Sequence, residues 1–227
     1  CRKNYMDGIM PPLSGSPKYN MHVDDIDFQI DADFIGFMNP GMPLSSARMC
    51  NRIGRMMAYG DGLYGGIFIS SMHALAFFNN DDPEKLVSEA LKTIPSGSTY
   101  AECISDVVKE YKSNPEDWRK TWRFIQKKWG KTDMCVPFMD FDIDAKLNGA
   151  FIVIGLLYGD GDFDKTMRIT IGCGQDTDCN SSNVTAILGV MKGYSHIPDI
   201  YKSCIPSMSN EDFSYTTYSY NKTVSQT

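Results

Sequence analysis

The chain has 227 residues, 42% of them hydrophobic and 22% charged, enough for one well-packed domain or one domain with a tail. A formal net charge of -6 and a pI near 5.0 argue against a general nucleic-acid binder, which needs a basic face for the phosphate backbone, and point toward cations instead. The most apolar run, residues 63–78, is shorter than a bilayer requires, so no membrane span is expected.

In chain order, residues 1–20 form a Pro/Gly/Ser loop without a core of its own. Residues 21–202 are expected to form a helical domain. "LYGGIFISSMHALAFF" (63–78) reads as a buried helix although it carries His73 and two serines. "DDPEKLVSEALKTI" has Asp81 or Asp82 as N-cap and Pro83 in the first turn, with Leu86, Val87, Ala90, Leu91 and Ile94 on one face. "TYAECISDVVKEYK" repeats the pattern. "NPEDWRKTWRFIQKKW" sets Trp118, Trp122, Ile125 and Trp129 on one stripe and keeps Arg119, Lys120, Arg123, Lys127 and Lys128 off it. This separation favours an amphipathic core helix over a nucleic-acid surface.

"DAKLNGAFIVIGLLY" and "DKTMRITIG" add two helices, with Asp144 and Asp164 as the expected caps; the β-branched "RITI" makes the second the weaker helix former. "DGDFD" (160–164) is a turn that enters it. From Ser203 the composition shifts to Ser, Thr, Tyr and Asn, so residues 203–227 read as a polar tail or linker, with "FSYTTYSY" an exposed strand or irregular extension.

Seven cysteines (Cys1, Cys50, Cys103, Cys135, Cys173, Cys179, Cys204) are odd in number and lack C-x-x-C spacing, so most read as reduced core thiols rather than as a disulfide framework or zinc site. A cytoplasmic location is favoured over a periplasmic or lipoprotein one, the last resting on Cys1 alone. The sequons at Asn180, Asn183 and Asn221 carry little weight, because such triplets arise by chance.

"ITIGCGQDTDCNSSNVTAILGVMKGY" (169–194) places two aspartates one residue apart between a glycine pair and a helical pattern. Capping by Asp178 or Asn180 would explain one carboxylate but not two. An EF-hand fits Asp176, Asp178 and Asn180 at its first, third and fifth places, but fails at Ser181 and Ile187, where it needs Gly and Glu. A D-x-D pair at a glycine-rich helix entrance can aim oxygens at one hard cation, Mg²⁺ or a relative, and leave backbone amides free for an anion.

The string "GQDTDCNSSNVTAILGVMKGY" resembles the ADP-ribosylglycohydrolase family, whose carboxy-terminal metal motif reads Gly-x-Asp-x-Asp-Thr followed by small residues and a Gly-rich helix. "DDIDFQIDADFIGFMNPGMP" and "YGDGLYGGIFISSMHALAF" look like further segments of its divergent bacterial branch, so the resemblance runs from Asp24 to Tyr194. It implies an all-α, multi-helix bundle. It also implies hydrolysis of the bond between ribose C1″ of ADP-ribose and an acceptor, aided by one or two Mg²⁺ or Mn²⁺ ions.

On this resemblance Asp176, Asp178 and Cys179 form the metal set, with Cys179 standing where the family has threonine. Asp25, Asp27, Gly60, Asp61, Gly62, Gly174 and Gln175 are the substrate-cleft candidates, although each of the three aspartates also fits an ordinary surface loop. No catalytic residue is singled out. An ADP-ribosylated substrate or related nucleotide-sugar is the expected partner.

The family's upstream Thr-Asp-Asp helix has no counterpart before Asn20. Val23-Asp24-Asp25 is an alternative for it, but Ile30, Phe34, Ile35 and Gly36 fit the later segment better. The chain is therefore expected to be the carboxy-terminal part of a longer enzyme, incomplete at its amino terminus and associated with an upstream segment. The competing expectation is a catalytically silent helical domain that binds a nucleotide-sugar or a partner subunit.

Overall fold

The computed structural model describes residues 2–79, 81–131 and 143–226, so Cys1 and Cys135 lie outside the described residues. The chain divides into two compact units, Cys1–Met191 and Lys192–Thr227. No strand occurs among the described residues, only isolated bridges, and the fold is all-α.

The first unit runs α1 (Arg2–Met6), α2 (Asp27–Asp31), α3 (Asp33–Phe37), α4 (Pro43–Ile53), α5 (Asp61–Ala76), α6 (Pro83–Leu91), α7 (Thr99–Ser113), α8 (Trp118–Trp129), α9 (Ala145–Tyr158), α10 (Phe163–Gly172) and α11 (Thr177–Lys192). Two of these form the centre. Every residue of α9 is buried, and α5 is buried except at Asp61, Tyr64 and Leu75. A helix that is apolar on all sides has to be enclosed, and α2, α3 and α4 cover α5 while α7, α8 and α10 cover α9. The buried helix expected at 63–78 is thus α5, which ends at Ala76 and leaves Phe77 and Phe78 exposed, and no described helix is long and apolar enough to cross a membrane.

Two of the expected caps follow the sequence. Asp82 accepts from Lys85 N at 2.9 Å and Asp144 from Lys146 N at 2.8 Å. The α10 cap does not: Asp162, not Asp164, accepts from Lys165 N at 2.6 Å. Asp160 and Gly161 take φ of 55° and 71°, so the chain reverses early and the helix begins at Phe163. The tryptophan stripe of α8 faces inward, with Ile125 and Trp129 buried and the five basic residues exposed.

The amino-terminal segment, expected to be irregular, carries α1 and a 3-10 turn at Leu13–Gly15. Ser14 Oγ donates to Met56 O at 3.0 Å, and Asn20 Nδ2 to Met57 O at 2.6 Å. The second unit contains α12 (Asp199–Lys202), α13 (Ile205–Met208) and α14 (Tyr220–Gln226). Its "FSYTTYSY" stretch closes on itself, with Phe213 N donating to Tyr218 O at 2.7 Å and Tyr215 at φ 65°, and is irregular rather than a strand.

Close helix packing rests on glycine at two core positions. A Cβ at Gly149 would overlap the Tyr100 hydroxyl, and one at Gly66 the Phe28 ring. Gly149→Ala is expected to destabilise, because overpacking costs about 1–3 kcal/mol, more than the ~1 kcal/mol of helix propensity gained. Urea unfolding tests this, and the loss should shrink in a Tyr100→Phe background. A more stable Gly149→Ala would show that Tyr100 has room.

His73, buried within α5, donates from Nδ1 to Ile69 O at 2.9 Å and packs edge-on against Phe37. Burial pushes its pKa down to about 4, while the Ile69 hydrogen bond and the Asp33 charge act in the opposite sense. The unfolded chain, with His near 6.5, therefore binds more protons than the native one between about pH 6.5 and 4. Stability should fall as pH drops through that window by about 3 kcal/mol. His73→Leu should flatten this slope in denaturation curves taken across the window; an unchanged slope would assign it to other groups.

Candidate metal and substrate site

The chain leaves α10 through Gly174 at φ 87° and Gln175 at φ 60°, two left-handed residues in succession. Glycine takes this conformation freely, whereas at Gln175 it costs energy. The turn brings Asp176 to the entrance of α11, where its Oδ1 accepts from Cys179 N at 3.3 Å. The cap is thus Asp176 rather than Asp178 or Asn180, because the double reversal starts the helix at Thr177. Asp178 sits exposed in the first turn.

Ligand atoms of Asp176, Asp178 and Cys179 all lie within 4.8 Å of one another. Two carboxylates suit a hard cation, but the thiol does not. Burial first, then the hydrogen bond to Asp176 and the charges of Asp176, Asp178 and Asp27, push the Cys179 pKa up to about 12. A thiol is a soft ligand poorly matched to a hard cation, and the residues present fit a divalent ion through Asp176 and Asp178. Asp27, exposed at the start of α2, is close enough for its charge to act on Cys179.

A strap of backbone ties the segment that leads into α2 to the start of α9. Ile26 N donates to Ile143 O at 2.9 Å and Ala145 N to Asp24 O at 3.0 Å, with Asp25 bridged to Asp144. Asp25 is buried and accepts from His22 Nδ1 at 2.6 Å. One turn along α9, Asn148 Oδ1 accepts from Asp176 N at 3.1 Å and from Asn180 Nδ2 at 2.7 Å. Asn148 thereby fixes the backbone on which Asp176 stands.

Lys146, 3% exposed, pairs with Asp144. Burial alone would lower its pKa, but the Asp144 charge and hydrogen bond, helped by Asp61 and Asp24, outweigh it and hold the ammonium above its usual value. Asp61 is engaged structurally: its carboxylate accepts from Tyr100 N at 3.1 Å and from the Thr99 hydroxyl, joining α5 to the start of α7. Gly62 permits close approach, since a Cβ there would overlap the Val23 carbonyl, and Gly60 takes φ 54°.

A recess of about 500 Å³ opens beside these residues, lined by Asp24, Tyr59, Gly60, Asp61, Tyr64 and Thr99 among others. A second recess of similar size, between Gly41, Leu75, Phe78 and Leu86, holds none of the candidate residues. Of the residues singled out from sequence, Asp176, Asp178, Cys179 and Asp27 gather at the α11 entrance, with Gly174 and Gln175 shaping the turn. Asp25 sits at the strap, and Gly60, Asp61 and Gly62 at the recess. Sequence reasoning missed Asp144, Lys146, Asn148 and Asn180 as parts of one network. The available signal was the group Asp-x-Lys-x-Asn at the head of an otherwise apolar run.

Asp176→Ala and Asp178→Ala together are expected to weaken Mg²⁺ or Mn²⁺ binding, with helix content nearly intact, since a lost cap costs only about 1 kcal/mol. Calorimetric titration checks this; unchanged binding in the double variant would leave both residues as helix-entrance groups.

A family model described as ADP-ribosylglycohydrolase matches residues 25–212. No curated protein and no solved structure gives a match.

Proposed function

Since the chain belongs to the ADP-ribosylglycohydrolase family, matched over residues 25–212 of 227, we propose that its glycohydrolase-type chemistry is divalent-metal-dependent cleavage of the bond between ribose C1″ of ADP-ribose and its acceptor. The observation that carries the metal dependence is the gathering of the Asp176 and Asp178 carboxylates at the entrance of α11. Mg²⁺ or Mn²⁺ would be held by these two residues. When bound, the ion supplies positive charge for orienting ribose hydroxyls and a water.

The chain's own residues prepare the rest. Asn148 holds the Asp176 backbone, so the carboxylate is presented from a fixed point rather than from a mobile loop. Asp27 and Asp178 add exposed negative charge near the entrance, which favours the positive charge that develops on the ribose in an oxocarbenium-like transition state. The Lys146 ammonium, held charged by Asp144 with help from Asp61 and Asp24, puts one fixed positive charge among these carboxylates. The recess beside Tyr59, Gly60 and Asp61 is the proposed seat of the substrate.

A second reading, a silent domain that binds a nucleotide-sugar or a partner subunit, is favoured by one observation. Cys179 places a soft thiol where the family has a hydroxyl, a weaker match for a hard cation. We propose that ligands from an upstream segment complete the site.

Release of ADP-ribose from a modified peptide distinguishes the two. The 227-residue chain should turn over weakly or not at all. The parent reading frame carrying an upstream Thr-Asp-Asp helix should be active with Mg²⁺, inactive with a chelator, and lose activity on Asp176→Ala. Robust metal-dependent turnover by the short chain would assign the missing ligands to Asp24 and Asp25. Inactivity of the longer protein would favour the silent domain.

A further inference from the structure

The amides at the entrance of α11 form a chain whose orientation is fixed from one end. Asn148 Nδ2 donates to Asp144 O at 2.9 Å, so its Oδ1 faces α11 and accepts from Asp176 N and from Asn180 Nδ2. The Asp176 amide can only donate, so turning Asn148 around would set two donors together, and turning Asn180 alone would set two carbonyl oxygens together. Asn180 Oδ1 is thereby directed away from Asn148.

That oxygen has no hydrogen-bond partner, although Asn180 is 0% exposed. A buried acceptor left unpaired is costly, and a water or a bound ion at the site would satisfy it. Asn180 lies four residues after Asp176, one turn along α11 on the same face. An amide oxygen is a hard donor of the kind that Mg²⁺, Mn²⁺ and Ca²⁺ accept beside carboxylates.

We propose that Asn180 Oδ1 is a third oxygen donor to the divalent cation held by Asp176 and Asp178, in the coordination position that the Cys179 thiol cannot fill. This rests on the metal-site reading above. Asn183 provides a built-in comparison. Its Oδ1 is also unpaired at 4% exposure, but its Nδ2 donates to Cys179 O, one turn further from Asp176.

The test is Mn²⁺ binding to the 227-residue chain, followed by calorimetry and by water-proton relaxation of the bound ion, with helix content recorded for each variant. Asn180→Ala should weaken Mn²⁺ at least ten-fold and admit one more water to the ion. Asn180→Asp, which keeps an oxygen at the position, should bind as tightly as the wild type or more tightly, and Asn183→Ala should bind like the wild type. Failure of the wild type to bind Mn²⁺ overturns both the metal-site reading and this proposal. Binding lost in Asp176→Ala/Asp178→Ala but unchanged in Asn180→Ala overturns this proposal alone. Should Asn180→Ala fail to fold, Asn180→Asp decides: retained or tighter binding supports the proposal, and weaker binding overturns it.

Discussion

Helix α9 has no side that faces solvent, and the rest of the first unit is arranged to satisfy that condition. Leu147, Phe151, Ile154 and Leu157 have to meet apolar neighbours in all directions, which α7, α8 and α10 supply with half-apolar faces of their own. Such a helix can hold polar groups only where its ends satisfy them. Asp144, Lys146 and Asn148 accordingly stand at its amino-terminal end, each hydrogen-bonded. The candidate site is thus the polar end of the core itself. Its residues are held by the same packing that holds the fold.

The strap at 24–26 and 143–145 makes this concrete. It joins the start of α2 to the start of α9, while Asn148 joins α9 to α11 and Asp61 joins α5 to α7. Helix beginnings from distant parts of the sequence are therefore linked by backbone or capping bonds. Several of these links are made by capping groups, since Asp144 and Asp176 are N-caps.

Much of this was legible in the sequence. Periodicity gave α5 to α11 because amphipathic and wholly apolar helices leave distinct patterns, and Asp82 and Asp144 announced their helices by preceding them. The D-x-D pair was legible because two adjacent carboxylates exceed what capping needs. The cap of α10 was misread because Asp160, a non-glycine residue, takes a left-handed conformation that its sequence does not mark, so the chain reverses one residue before Gly161 and leaves Asp162 at the cap. The same applies at Gln175, whose conformation decides that Asp176 caps α11. Asn148 and Asn180 were not legible as partners, because a contact between residues 32 apart follows from packing rather than from local pattern. The strand option for "FSYTTYSY" failed for a related reason: alternation needs a neighbouring strand, and none exists among the described residues.

The Lys146–Asp144 pair, with side chains 3% and 1% exposed, differs in kind from the exposed pairs Lys3–Asp7 and Lys165–Asp160. Mobile ions screen exposed charges over about 8 Å at physiological ionic strength, but they cannot enter between groups that water does not reach. Rising salt therefore erases the attraction in the surface pairs and leaves the ammonium and carboxylate at the head of α9 untouched. The electric field at that point is a property of the fold, not of the surrounding medium.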